Sequence, residues 1–242
     1  MTRLIPVFLL IAIGLMASCG ETNQHEAIQS DSTSAGDKTD AKIIPGAERM
    51  DQYLQLLKDK RVAVFANHTS LVGNSNLVDT LVKSGVKVTV IFGPEHGFRG
   101  TADAGEKMGN YNDEKTGIPV ISLYGNKRKP SAEDLQQVDV MLFDIQDVGT
   151  RFYTYISSLE EYMEAAIENN KPVIVLDRPN PNGFYVDGPV LDTAFRSFVG
   201  MQRILIVYGM TIGEYATMLV GEKWLSRTPA GQPISPSRFT RP

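Results

Sequence analysis

Val138-Asp139-Val140-Met141-Leu142-Phe143 runs straight into Asp144-Ile145-Gln146-Asp147: a short apolar strand that stops in a polar cluster. The same pattern occurs four more times. Arg61–Phe65 leads to Asn67-His68, and Val86–Phe92 to Pro94-Glu95-His96-Gly97. Val120–Leu123 leads to Tyr124-Gly125, and Val173–Leu176 to Asp177-Arg178-Pro179-Asn180. Helical patterns lie between these runs. Asn76–Ser84 carries an apolar stripe of Leu77, Val78, Leu81 and Val82 ending at Gly85, a suitable C-cap. Ser131–Gln137 is a short helix with Ser131 as N-cap and Asp134 three residues on. Ile156–Glu168 and Thr211–Leu219 complete the set. Strand and helix in alternation predict an α/β fold, a Rossmann-like open parallel sheet flanked by helices. In such a sheet the carboxyl ends of the strands line one crevice, where ligands bind. Residues scattered along the chain are therefore expected to meet at one site.

The ends of the chain read differently. Arg3, the apolar Leu4–Leu15 and the small or flexible Met16-Ala17-Ser18 make residues 1–19 a signal peptide rather than a membrane span. Cys19 is the single cysteine, so it has no disulfide partner within the chain. Its position resembles a bacterial lipobox, which implies cleavage before Cys19, lipidation of its thiol and an exported protein anchored to the membrane. Residues 20–44, rich in Ser, Thr, Asp, Glu, Gln and Lys, read as a flexible linker. The folded part is expected over 45–222. Pro229, Pro233, Pro236 and Pro242 predict an irregular tail over 223–242. Between Phe98 and Gly117 the apolar pattern lapses, which suggests a flap beside the Glu95 loop.

Composition narrows the function. A net charge of −4 with pI near 5.5 gives no general pull toward nucleic acid. No Gly-x-Gly-x-x-Gly follows the first strand, where Asn67-His68-Thr69-Ser70 stands, and no Gly-x-Ser-x-Gly elbow is present. His68, Glu95, His96, Asp144 and Asp177 are acceptable metal ligands, yet no close paired-histidine spacing accompanies them, and no metal or other cofactor is expected.

Glu95 is the natural general acid or base, held between Pro94 and Gly97 at a strand mouth. His96 is placed to orient it or to touch substrate. Asp144, Asp147 and Asp177 are further carboxylates on the same edge, and glycoside hydrolysis typically uses two. Arg151, Phe152, Tyr153 and Tyr155 add rings that stack on sugar faces and a guanidinium that can grip a carboxylate.

Four segments together carry a resemblance. They are Asn67-His68-Thr69-Ser70, the eight residues from Gly93 to Gly100, the twelve from Asp144 to Tyr155, and Asp177-Arg178-Pro179-Asn180-Pro181. In these the chain resembles the NamZ-type exo-β-N-acetylmuramidases over about residues 45–222. The resemblance implies removal of terminal, non-reducing β-N-acetylmuramic acid from peptidoglycan fragments in cell-wall turnover and recycling. It implies no cofactor, peptidoglycan-derived muropeptides or disaccharides as partners, and a smaller C-terminal domain beyond the Rossmann-like one. That second domain is not legible after Trp224, so a truncated product with half the cleft unbuilt is the expectation. Arg203-Ile204-Leu205 also departs from the Pro-x-Pro that usually precedes Gly209-Met210-Thr211. By this resemblance Glu95 is catalytic. Asn67, His68, His96, Arg99, Asp144, Gln146, Asp147, Arg151, Tyr153 and Asp177 are the candidate substrate-binding residues, with Arg99 or Arg151 facing the sugar's lactyl carboxylate. Two other readings stand beside it: a non-catalytic muropeptide-binding lipoprotein and a metal-dependent hydrolase.

Overall fold

The structure is a computed structural model that describes residues 43–100, 109–225 and 239–240. Cys19, the signal segment and the linker as far as residue 42 lie outside the described residues, as do 101–108 of the expected flap.

Helix α1 (Met50–Leu57) precedes strand β1 (Arg61–Ala66). A small hairpin of β2 (Leu71–Val72) and β3 (Ser75–Asn76) then leads into α2 (Leu77–Lys83). There follow β4 (Lys87–Gly93), β5 (Tyr111–Asn112), β6 (Pro119–Ser122), β7 (Val140–Asp144), α3 (Tyr155–Glu168), β8 (Val173–Val175), α4 (Ile212–Gly221) and β9 (Phe239–Thr240). The large sheet has the order β5-β6-β4-β1-β7-β8-β9, parallel except for the β5–β6 pair. From β1 the chain builds outward through β4 to β6, then returns to add β7 and β8 on the other side. The reversal falls between β1 and β7, and ligand sites of open α/β sheets lie outside the strand ends at such a point. Asn67 follows β1 there, and Asp144 closes β7.

Alternation along β1 explains the two cores. Val62, Val64 and Ala66 face α1 and α2, while Ala63 and Phe65 face α3 and α4, and all five are fully buried. Phe92, Phe65 and Phe143 stand side by side across β4, β1 and β7. Tyr162 of α3 lies on this row, its ring 5.4 Å from Phe65 and 5.8 Å from Phe92. Full burial of such rings contributes roughly 1.5–3 kcal/mol each. This packing fixes α3, and so fixes the helix start at Tyr155 over the sheet's carboxyl edge. Asn76 caps α2 by accepting from Val78 N–H, and Gly85 beyond it takes φ +81, as a C-terminal glycine should.

Two expectations need correction. Residues 132–137 form successive turns rather than a helix, although Ser131 and Asp134 exchange the anticipated hydrogen bonds. Six residues offer too few i→i+4 bonds to offset nucleation. In the proline-rich tail, Phe239–Thr240 pairs with β8 as an edge strand. Both residues fall between Pro236 and Pro242, where their own N–H groups remain available.

Candidate active site

Glu95 sits in a tight turn. Gly97 N–H donates to the Pro94 carbonyl at 3.0 Å, and His96 occupies the third turn position with φ +69. That position in a type II turn usually takes glycine. A histidine there stores on the order of 1 kcal/mol of strain, a feature concentrated at functional sites. Phe98 is fully buried just beyond and anchors the exit of the turn.

Opposite the turn stands the aromatic run. Glu95, His96, Phe152, Tyr153, Thr154 and Tyr155 together line a cavity of about 250 Å³. Phe152 also has positive φ, at +81, and 58% of its surface is exposed, as is 57% of Tyr153. Two non-glycine residues held in the left-handed region thus line one cavity. Tyr124, at the end of β6, hydrogen-bonds the Glu95 carboxylate, which raises the tyrosine hydroxyl above its usual range.

Behind the cavity lies a buried polar layer. The Asn67 side-chain oxygen accepts from Thr69 N–H at 2.9 Å and Thr69 O–H at 2.6 Å. Thr69 Oγ1 in turn accepts from Gln146 N–H at 3.0 Å, and Gln146 Nε2 donates to the carbonyls of Asp147 and Pro179. Asp147 Oδ2 accepts from Gly149 N–H at 2.7 Å and from the Tyr208 hydroxyl. Burial pushes the Asp147 carboxyl up despite these donors. Tyr155 connects the layers: burial raises its hydroxyl, and the charges of Asp147 and Glu95 raise it further.

Several predicted ligand contacts are instead structural braces. Asp144 is fully buried and binds Arg178 twice, Nε to Oδ1 at 2.6 Å and Nη2 to Oδ2 at 2.9 Å. Burial pushes the Asp144 carboxyl up, and Arg178 works against it. Asp177 accepts from Thr211 O–H at 2.7 Å and Gly213 N–H at 2.8 Å, tying β8 to the start of α4. A Cβ on Gly213 would stand 2.6 Å from the Asp177 Cγ, so only glycine fits. Arg99 grips Asp113 through Nε and Nη2, each at 2.8 Å, and Asp79 through Nη1 and Nη2 at 3.1 and 2.9 Å. All three guanidinium nitrogens are occupied, which leaves no fork for a substrate carboxylate. This network also ties the described end of the expected flap to α2. Arg151 is buried beside Phe152, its guanidinium carbon 5.8 Å from that ring's centroid, with Nη2 donating to the Pro189 carbonyl at 3.1 Å and Nε without a partner among the described residues. His68 is exposed and packs beside Gly100.

Glu95, His96 and Tyr153 therefore line the cavity, and Asn67, Gln146 and Asp147 stand behind it. Asp144, Asp177 and Arg99 hold the frame, and Arg151 stands beside the Phe152 ring. Sequence reasoning counted Tyr155 among the stacking rings and Tyr124 among the polar strand ends but named neither as a substrate contact, and it left Tyr208 out. The aromatic run already signalled Tyr155, and a tyrosine ending the β6 strand signalled Tyr124. Nothing in the pattern pointed to Tyr208. Among the described residues no three of His, Cys, Asp and Glu come together to hold a metal, and no helix is long and apolar enough to cross a membrane.

An open, mostly parallel sheet with a carboxylate and an aromatic run at its carboxyl edge defines a Rossmann-like α/β domain with a ligand cleft. Residues 62–234 match the N-terminal domain of the exo-β-N-acetylmuramidase NamZ, and the chain belongs to that family. It is 50% identical over 175 residues to the peptidoglycan β-N-acetylmuramidase NamZ of Bacillus subtilis, covering 70% of this chain and 42% of that protein. The crystal structure of a DUF1343 family protein from Bacteroides fragilis superposes with a TM-score of 0.71 at 44% identity, over 83% of this chain and 51% of the other. A second one from the same organism gives 0.71 at 41%, over 81% and 48%. The chain thus spans about half the length of the relatives it matches.

Proposed function

We propose that this chain serves an exo-acting glycosidase that removes terminal β-N-acetylmuramic acid from peptidoglycan fragments, in turnover and recycling of the cell wall. The observation that carries the reading is the cavity that Glu95 lines together with an aromatic run at the sheet's carboxyl edge. Family membership supports it. The Glu95 carboxyl donates its proton to the glycosidic oxygen of the departing sugar. Tyr124 fixes the carboxyl by donating to it. Phe152 and Tyr153 present ring faces to the sugar's C–H surface. Arg99 is taken by Asp79 and Asp113, which leaves Arg151, of the two arginines, for the lactyl carboxylate. The protein acts outside the cytoplasm, anchored through a lipid on Cys19.

The test incubates the purified chain with the disaccharide N-acetylmuramic acid–N-acetylglucosamine and measures release of both monosaccharides. Glu95→Gln should lower release by about 10²–10⁴-fold, and a chelator should leave it unchanged. Binding of the disaccharide without release, identical in the chain and in Glu95→Gln, would make it a muropeptide-binding protein instead.

A further inference from the structure

A non-glycine residue in the left-handed region persists only where its surroundings over-determine it. Phe152, at φ +81 on the cavity lining, is such a residue, and one stretch of chain supports it. Phe152 N–H donates to the Val199 carbonyl at 3.0 Å, and the preceding Arg151 N–H donates to the Ile206 carbonyl at 2.8 Å. Val199 lies in a tight turn in which Ser197 and Gly200 exchange both backbone hydrogen bonds, each at 3.0 Å. The Phe198 ring in the same turn lies under Arg128, 4.3 Å from the guanidinium carbon. Arg196 and Gln202 flank this turn, and both donate to the same oxygen of Glu160. The Tyr215 hydroxyl of α4 donates to the other oxygen. A single carboxylate thus holds both ends of the turn.

Glu160 is an unusual residue for its place. It is fully buried, and Ile156, Leu159 and Met163 on the same face of α3 all belong to the apolar core. A leucine would fill such a position without the cost of burying a carboxyl, so packing alone does not account for the glutamate. We propose that Glu160 is a positioning residue: by clamping the 197–200 turn to α3 it sets the Val199 carbonyl, and through it the Phe152 ring on the cavity lining. Helix α3 then places two rings of the site, Tyr155 at its own first residue and Phe152 through Glu160. The proposal rests on the sugar reading above, in which Phe152 presents its face to the substrate.

Amide hydrogen exchange of the full chain reads the clamp without a ligand. In Glu160→Leu the Phe152 N–H should exchange about tenfold faster or more, while the β1 amides keep their rates. Glu160→Gln, which keeps an oxygen for Gln202 and Arg196, should restore the protection. Gln202→Leu cuts the same link from the far side and serves where thermal unfolding shows that Glu160→Leu does not fold. Calorimetric titration with N-acetylmuramic acid then reads the consequence. Cutting the clamp should weaken binding about twofold to tenfold in the otherwise wild-type chain. It should have little further effect once Phe152→Gly has removed the ring, whereas a merely structural role would weaken both backgrounds alike. An unchanged Phe152 amide in a folded variant, or equal losses in the two backgrounds, would overturn the inference and leave the sugar site intact. No binding by the folded wild-type chain would overturn the sugar reading, and the inference with it.

Discussion

Glu160 lies fully buried in the middle of α3 and should be replaced by glutamine. Its carboxyl accepts from Gln202 and from Arg196 Nη2 at 3.2 Å on one oxygen, and from the Tyr215 hydroxyl at 3.4 Å on the other. It thereby clasps the segment around residues 196–202 against α3 and α4. Burial is the dominant influence and lifts its pKa from 4.5 to about 7, against the pull of Gln202 and the half-exposed Arg196. The sign follows directly. A carboxyl whose pKa is higher folded than unfolded carries no penalty below 4.5, a growing one between 4.5 and about 7, and a constant one above. At 1.36 kcal/mol per factor of ten in proton affinity, the full penalty is roughly 3 kcal/mol. Glutamine keeps an oxygen for Gln202 and has no proton to lose. Urea unfolding of both proteins from pH 4.5 to 8.5 isolates this group, because all others cancel in the difference. The variant should match the wild type at pH 4.5 and exceed it by up to about 3 kcal/mol at pH 8, roughly 6–12 °C in Tm for a domain of this size. A variant less stable than wild type at pH 8 would refute the reasoning, since Arg196 would then be holding Glu160 ionised against burial.

Tyr208→Phe removes the hydroxyl that donates to Asp147. The loss should cost about 1.5–3 kcal/mol at pH 8 and shrink on acidification as Asp147, its carboxyl already raised by burial, takes up a proton; equilibrium unfolding at two pH values checks it. Arg178→Met strands the fully buried Asp144 and should destabilise by about 3–5 kcal/mol, whereas the double variant with Asp144→Leu should recover most of it, as a double-mutant cycle would show. Phe152→Gly relieves the φ of +81 and should leave stability unchanged or raise it by up to about 1 kcal/mol, while weakening sugar binding by calorimetry, since the exposed ring is lost.

The parallel sheet was legible because strands buried on both faces leave unbroken apolar runs, and β1, β4, β6, β7 and β8 each coincide with one. Helix α1 went unread even though Tyr53 and Leu57 are buried at helical spacing, because its eight residues sit beside polar linker sequence. The β2–β3 hairpin, two residues a side, is too short for any period to register. Among the helices, the 131–137 segment carried a real capping signal and still failed to form one. Reciprocal side-chain bonds stabilise a turn as readily as a helix start when nothing longer follows.

The site was legible in its location and not in its division of labour. Every strand end offered a polar residue, but which ones face a ligand depends on partners far away in sequence. Asp144 is withdrawn from the cleft by Arg178, 34 residues on, and Asp177 by Thr211 and Gly213. Glu95, in the turn bent at His96, lines the cavity instead. The consequence reaches the chemistry. Of the edge carboxylates among the described residues only Glu95 lines the cavity, while Asp147 is buried and engaged by Gly149 and Tyr208. Among the described residues no second carboxyl lines the cavity with Glu95, so none of them stands across a glycosidic bond from it.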